Sequence, residues 1–361
     1  MGLLLRTLYV WLALTLLVVV TSEIATVLDY QSTLVVATDF EGTIWQPARN
    51  VLDGVSPYPS MSSPDFVPLA VYPPSAFIPA LPLGALPVDV AATIFRAALL
   101  VAAFLVLWVL GVRDWRCHAL WLSSPLVVIP VLIGNATLLV VLCAALLWRY
   151  RDVTWAAAAA LVSAIAIKLF LAPLCLWLVF TGRWRAAVYA AAAAPIVVIG
   201  SWAFIRFDGL LAYPGLMREL ADRWSGDGAL VYGLGSQLGL GGATSVVAVT
   251  AGVALLAAAW FVREREIVSF TLVSTAAIVL SPIGWTFYVG VLVVPLAIRY
   301  RHYSPAWTLL SLFWIVSWWH TPLVYGSPEL SVTTIAVTSL LVIAIWRQPR
   351  TALNVRPVIA A

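Results

Sequence analysis

The chain has 361 residues, of which 63% are hydrophobic and only 10% charged. A soluble domain carries about 45–50% apolar and about 25% charged residues. These proportions, with a mean hydropathy of +1.01, exclude a soluble globular enzyme, a disordered chain and a nucleic-acid binder. The net charge of +4 is too small to attract a nucleic acid, and Cys117, Cys143 and Cys175 are too few for a disulfide framework. The composition is that of an all-α polytopic integral membrane protein.

A helix crossing a bilayer needs about 20 apolar residues. The first run, 8–28, meets that length. No small-x-small cleavage site follows it, so it reads as a membrane span rather than a signal peptide. A polar, proline-rich stretch occupies 29–90. Apolar runs then lie at 91–112, 119–133, 136–148, 153–167, 169–181, 186–205, 244–262, 267–281, 285–300, 305–321 and 332–346, twelve in all with the first. The four runs between 119 and 181 are only 13–15 residues long. They reach about 20–23 Å, short of a hydrocarbon core about 30 Å thick. They fit tilted hairpins, re-entrant pieces, or two long kinked helices, so the expectation is 10–12 transmembrane helices. Such short helices need protein or a water-filled cavity around their ends.

Short cytoplasmic loops are rich in Arg and Lys. The basic connectors here are Arg113/Arg116, Arg149/Arg151, Arg183/Arg185, Arg263/Arg265 and Arg299/Arg301, with Arg6 before them and Arg347, Arg350 and Arg356 after. Twelve alternating spans put all of them on one side, with 14 basic and 4 acidic residues inside against 6 and 12 outside. Both termini are then cytoplasmic, in a cell (plasma) membrane. Residues 1–361 form a single membrane-embedded domain. Its long first extracytoplasmic loop (29–90) carries short amphipathic helices, a second outer loop covers 206–243, and the cytoplasmic tail is 347–361.

The outer face collects the chemistry. Asp39, just past the first span among aromatic residues, is a candidate general base. It also reads as the cap of a short helix running to Asp53-Gly54. Glu41 reads as a solvated acid of the first turn. Lys168 is the only lysine in the chain. It lies between two apolar runs, where an ionisable group is costly and a lipid phosphate is the fitting partner, unless it snorkels to an interface. Arg206, Arg218, Arg223 and Arg49 could each fork a phosphate, or simply be solvated. His320, in SWWHTP, is either a substrate contact or a packed ring. No residue spacing resembles a zinc site, and no Gly-rich loop follows a strand, so neither metal nor nucleotide is expected.

Five pieces in order carry a family resemblance. They are Asp39-Phe40 … Leu52-Asp53-Gly54-Val55-Ser56-Pro57-Tyr58; Tyr72-Pro73-Pro74 with its Pro/Leu run; Gly134-Asn135-Ala136-Thr137-Leu138; Lys168 … Pro173 … Arg183-Trp184-Arg185; and Ser281-Pro282-Ile283-Gly284-Trp285. Together they resemble glycosyltransferase family 87, of the C-type membrane glycosyltransferase superfamily. The resemblance implies a polyprenyl-phosphate sugar donor, usually mannose. It implies transfer of the hexosyl unit to a hydroxyl of a lipid-linked or glycan acceptor on the extracytoplasmic face, with Asp39 as catalytic base. The departing phosphate asks for a cation such as Lys168. A single base predicts inversion at the anomeric carbon, by analogy with inverting glycosidases. Trp45, Tyr58, Tyr72 and Trp285 could stack on sugar faces or anchor at the interface. There are two departures. Family members often carry a His just after the last motif, where this chain has Phe287 and Tyr288, and a Gln is common where Asn135 stands. His320 or Tyr288 could compensate for the first. The outer carboxylates Asp39, Glu41 and Asp65 do not require a cation by their spacing, so no cofactor is expected beyond the lipid-linked donor. The rival readings are a flippase or transporter of a lipid-linked glycan, and a non-catalytic protein that keeps the fold.

Overall fold

A computed structural model describes residues 38–58, 72–314 and 327–347. The expected first span, Asp65 and His320 lie outside the described residues. Among those described, every regular element is helical, as the composition requires.

The outer loop is built of short helices. A continuous turn-rich helix contains α1 (Thr38–Phe40), a π-helical stretch (Glu41–Trp45) and α2 (Gln46–Leu52). It ends at Asp53-Gly54, where Gly54 takes the left-handed φ of 71° that favours glycine. After it come α3 (Pro74–Phe77) and α4 (Leu81–Gly84), each started by proline at its first or second position.

Four helices are long and apolar enough to cross a membrane by length and composition. They are α5 (Val88–Val109), the 22-residue stretch Trp184–Ile205, Gly242–Phe261 and Pro328–Trp346. α6 (Trp115–Leu122) and α7 (Pro125–Ile133) together reach that length and apolarity but meet at 51°, the geometry of a broken span or a re-entrant loop. The break falls at Ser123-Ser124-Pro125, where the proline disfavours helical backbone in the residue before it.

The short central runs form hairpins rather than two long kinked helices. α8 (Thr137–Arg149) and α9 (Thr154–Ile167) are joined by a tight turn, and α10 (Leu174–Phe180) returns to α11 (Trp184–Gly200). Arg183 ion-pairs with Asp152 (2.7 Å) and Glu266 (2.9 Å), and Arg151 with Glu266 (3.0 Å). The connectors 149–153, 181–185 and 263–266 therefore share one end of the bundle. Asp114 joins them through the neighbouring connectors, accepting a hydrogen bond from the Tyr303 amide (2.9 Å), while Arg265 donates to the Trp346 carbonyl (3.0 Å). The Gly134-Asn135 turn and Lys168 lie at the other end of α8 and α9, about 20 Å away by helix rise.

The rest of the chain comprises α12 (Tyr213–Trp224), α13 (Val231–Gln237), α14 (Gly242–Phe261), α15 (Glu266–Val279), α16 (Val293–Arg299) and α17 (Pro328–Trp346). A ring cluster packs the end of the bundle that carries the basic connectors. Trp148 of α8 stacks on Trp177 of α10 at 5.5 Å, and both meet Phe270 of α15 edge-on at 5.4 and 5.0 Å. The alanine-rich α9 (TWAAAAALVSAIAI) lets α8 and α11 approach closely. Close approach of small residues is the main source of helix association where the solvent is lipid.

Candidate active site

Asp39 of α1 meets two breaks in the chain, one where α7 gives way to α8 and one where α9 ends. Gly134 closes α7 in the left-handed conformation (φ 72°), and this turns the chain so that Asn135 faces inward. Asn135 Oδ1 then accepts from the Thr137 amide (3.0 Å) and the Thr137 hydroxyl (2.6 Å). Lys168 is the unwound residue after α9, with extended backbone (φ −146°, ψ 122°). Its ammonium donates to Asn135 Oδ1 (2.8 Å) and Thr137 Oγ1 (2.9 Å).

These donors decide the orientation of the Asn135 amide. With the oxygen occupied by N–H and O–H donors, the NH2 group must face the other way. There it donates to the Asp39 carboxylate. The carboxylate of Asp39 thus bonds across the fold, to a residue 96 positions away, rather than to its own helix. The alternative reading of Asp39 as a cap gives way to this one. Thr43 Oγ1 secures the backbone beneath by donating to the Asp39 carbonyl (2.5 Å).

Asp39 lies outside the membrane-spanning helices. Burial pushes its carboxyl above the ordinary 3.8, while the Asn135 N–H and the charge of Lys168 pull it back down. No ion pair joins Asp39 to Lys168 among the described residues. The asparagine amide stands between them, so each charge keeps capacity for a ligand.

Lys168 is 5% exposed, and its ammonium sits in an aromatic cage. It lies 4.7 Å from the Tyr288 ring centre, 5.3 Å from Tyr72 and 5.7 Å from Phe287. Rings at this range attract a cation and partly replace its lost hydration. Phe170 stacks on Tyr288 (4.6 Å) and fixes that wall. Tyr72 is positioned by Tyr58, whose hydroxyl donates to the Tyr72 carbonyl (2.8 Å), and Tyr58 stacks on Trp202 at 6.0 Å. Trp285 lies one ring further out, 6.3 Å from Phe287.

Of the residues singled out from the sequence, the structure brings together Asp39, Asn135, Lys168, Tyr72 and Tyr288, with Tyr58 and Trp285 behind them. The arginines stand apart. Arg49 is 43% exposed in its side chain and pairs with Asp53 (2.9 Å). Arg206 is exposed in a left-handed residue (φ 56°) and has no described contact with Asp39 or Lys168. Glu41 is half-buried two residues past Asp39. Among the described residues, no group of His, Cys, Asp and Glu could hold a metal ion.

The sequence reading missed two residues. Thr137 shares Asn135 with Lys168; it stands within the Gly134-Asn135-Ala136-Thr137-Leu138 piece, which assigns it no role of its own. Arg96 gave a signal, a charge in the third turn of a long apolar helix. One of its Nη atoms donates to the Leu132 carbonyl (2.6 Å) at the end of α7, and its Nε is buried without a partner. It therefore braces the turn that carries Asn135.

The family model for glycosyltransferase family 87 matches residues 70–282, more than half of the chain. The chain belongs to glycosyltransferase family 87. It is a membrane glycosyltransferase, acting on a sugar donor and an acceptor. No curated protein and no solved structure matches it. The matched stretch takes in Tyr72, Asn135, Lys168 and the Ser281-Pro282 turn of the transferase, while Asp39 precedes it and Trp285 and Tyr288 follow it.

Proposed function

We propose that the protein transfers a hexosyl unit, mannose in the first instance, from a polyprenyl-phosphate sugar to a hydroxyl of a lipid-linked or glycan acceptor. Asp39 is the base and Lys168 the phosphate partner. The observation that carries this reading is the Asp39–Asn135–Lys168 connection, a carboxylate and an ammonium held apart by one amide.

In the step, the acceptor oxygen gives its proton to the Asp39 carboxylate as it attacks the anomeric carbon. The bond from that carbon to the phosphate oxygen breaks, and its electron pair leaves with polyprenyl phosphate. Lys168 stabilises the charge that grows on the phosphate, and the ammonium has one N–H without a partner among the described residues. Phosphate is a good leaving group, so the step needs no strong general acid. Attack opposite the phosphate inverts the anomeric configuration. Tyr72, Tyr58, Trp285 and Tyr288 offer ring faces to the sugars. Tyr288 and Phe287 occupy the positions where family members often carry a histidine, and both rings face Lys168. Arg49 and Arg206, which stand apart from Lys168, are assigned no part in the step. The reading needs no cofactor. It places the site on the extracytoplasmic face of the plasma membrane, with the arginine-rich end and both termini in the cytoplasm.

The test uses the protein in nanodiscs with radiolabelled polyprenyl-phosphate mannose and a membrane lipid extract. Label is expected in a new lipid or glycan with wild type and not with Asp39→Asn, while folding is retained. Full transfer by Asp39→Asn would refute the assignment of the base. Transfer only from the arabinose donor would replace the sugar and keep the mechanism.

A further inference from the structure

Next to the Ser281-Pro282 turn lies a concavity that the reaction above does not use. It encloses about 490 Å³ between α12, α13, the start of α14 and Pro282. Its walls carry Asp222, Ser225, Tyr232, Ser236 and Ser245. Thr244, on the same wall, buries its hydroxyl without a hydrogen-bond partner. A buried hydroxyl in that state is costly unless water or a ligand satisfies it.

The cleft is preformed. Gln237, next to Ser236, donates to the carbonyls of Gly226 (2.9 Å) and Gly228 (3.1 Å) and accepts from Ser331 of α17 (3.0 Å). Glycines let its walls close: a Cβ on Gly235 would stand 2.5 Å from Thr244, and one on Gly233 would stand 1.9 Å from the Gly228 carbonyl oxygen. The cleft is also tied to the catalytic end. The Ala229 amide donates to the Gly284 carbonyl (2.8 Å), and Trp224 of α12 lies 6.3 Å from Trp285, which leads through Phe287 to Lys168.

The lining chemistry selects the ligand class. Hydroxyls, one carboxylate and one tyrosine ring suit a polyol, and none of the lining residues is basic. A phosphate would have no counter-charge there, whereas sugar hydroxyls can donate to Asp222 and exchange hydrogen bonds with the serines. The volume falls within the range of about 300–1,000 Å³ usual for small-molecule sites. We propose that this cleft is a subsite for uncharged sugar rings of the acceptor glycan, holding them while the ring with the reacting hydroxyl reaches Asp39. This assignment rests on the transferase reading for its role, and on the cleft alone for its ligand.

The experiment therefore reads binding without donor. The full chain in nanodiscs is titrated with disaccharides of mannose, glucose, galactose and arabinose, followed by saturation-transfer NMR. At least one disaccharide is expected to bind wild type and Asp39→Asn alike. Asp222→Asn and Ser236→Ala, both at exposed positions, are expected to weaken it about tenfold, the loss of one or two hydrogen bonds, with thermal unfolding unchanged. The proposal is overturned if no disaccharide binds wild type, if the two cleft variants bind as wild type does, or if inorganic phosphate displaces the sugar at equal concentration. Because Asp39→Asn is read in the same assay, failure of transfer and failure of the subsite are separate results.

Discussion

Replacing Asn135 by alanine removes the one group that touches both charges of the site. Its NH2 donates to Asp39, and its carbonyl accepts from Lys168 and Thr137. A hydrogen bond to a charged group contributes about 1.5–3 kcal/mol. Losing that bond raises the carboxyl's pKa, because the N–H favours the ionised form. The sign follows from the proposed role of Asp39 as the base. Asp39 accepts a proton only when ionised, and burial already holds its carboxyl above 3.8. Wild-type kcat/KM should fall as pH drops through that raised value. In Asn135→Ala the acid limb should move to higher pH. At pH well above both limbs, the lost positioning should lower kcat/KM about 10–100-fold, the equivalent of about 1.4–2.8 kcal/mol. The assay is initial-rate transfer from radiolabelled donor in nanodiscs across a pH series. An unmoved acid limb with kcat/KM within about twofold of wild type would refute the claim that Asn135 holds the base.

Lys168→Gln should raise the apparent KM for donor more than that for acceptor, because the amide keeps hydrogen bonding to Thr137 but loses the charge; equal donor affinity would remove the phosphate role. Arg96→Leu should lower kcat about fivefold with both KM values little changed, the worth of about 1 kcal/mol at the Leu132 carbonyl. Arg96→Lys should recover part of that loss; no recovery would mean that only folding is affected. Glu266→Gln should lower Tm without changing the acid limb of the rate. It weakens the partners of Arg151 and Arg183, and at 33% side-chain exposure the loss should be about 1 kcal/mol, smaller in high salt.

The membrane fold was legible because its driving pattern is coarse. Each apolar run read from the chain that lies wholly within the described residues corresponds to a helix or a bent pair. The charge bias of the loops also anticipated that Arg151, Arg183 and Glu266 would meet at one end. The 119–181 stretch was ambiguous on length alone, because 13-residue helices fit a hairpin and a kinked span equally well. What decided it was the ion pairing of Arg183 with Asp152, a long-range contact that no local pattern encodes.

The site was half legible for the same reason. A lone lysine between apolar runs and an acid after a span are visible as costs that something must repay. Asn135 and Thr137 carry no such cost, since a neutral amide or hydroxyl in a turn is ordinary. Their importance arises only when the Gly134 turn aims the amide between Asp39 and Lys168. The structure also changes what the two departures from the family pattern mean. Asn135, where a glutamine is common, reaches Asp39 directly, so the shorter side chain still makes this contact. Phe287 and Tyr288, the second departure expected from the resemblance, give Lys168 two of its three ring neighbours among the described residues. An aromatic wall with a single cation suits a step whose leaving group needs charge stabilisation but no proton. On this argument Tyr288→His should leave transfer measurable and introduce a pH dependence near the ordinary histidine range, about 6.5. A profile identical to wild type would show that this ring lies outside the reaction's electrostatics.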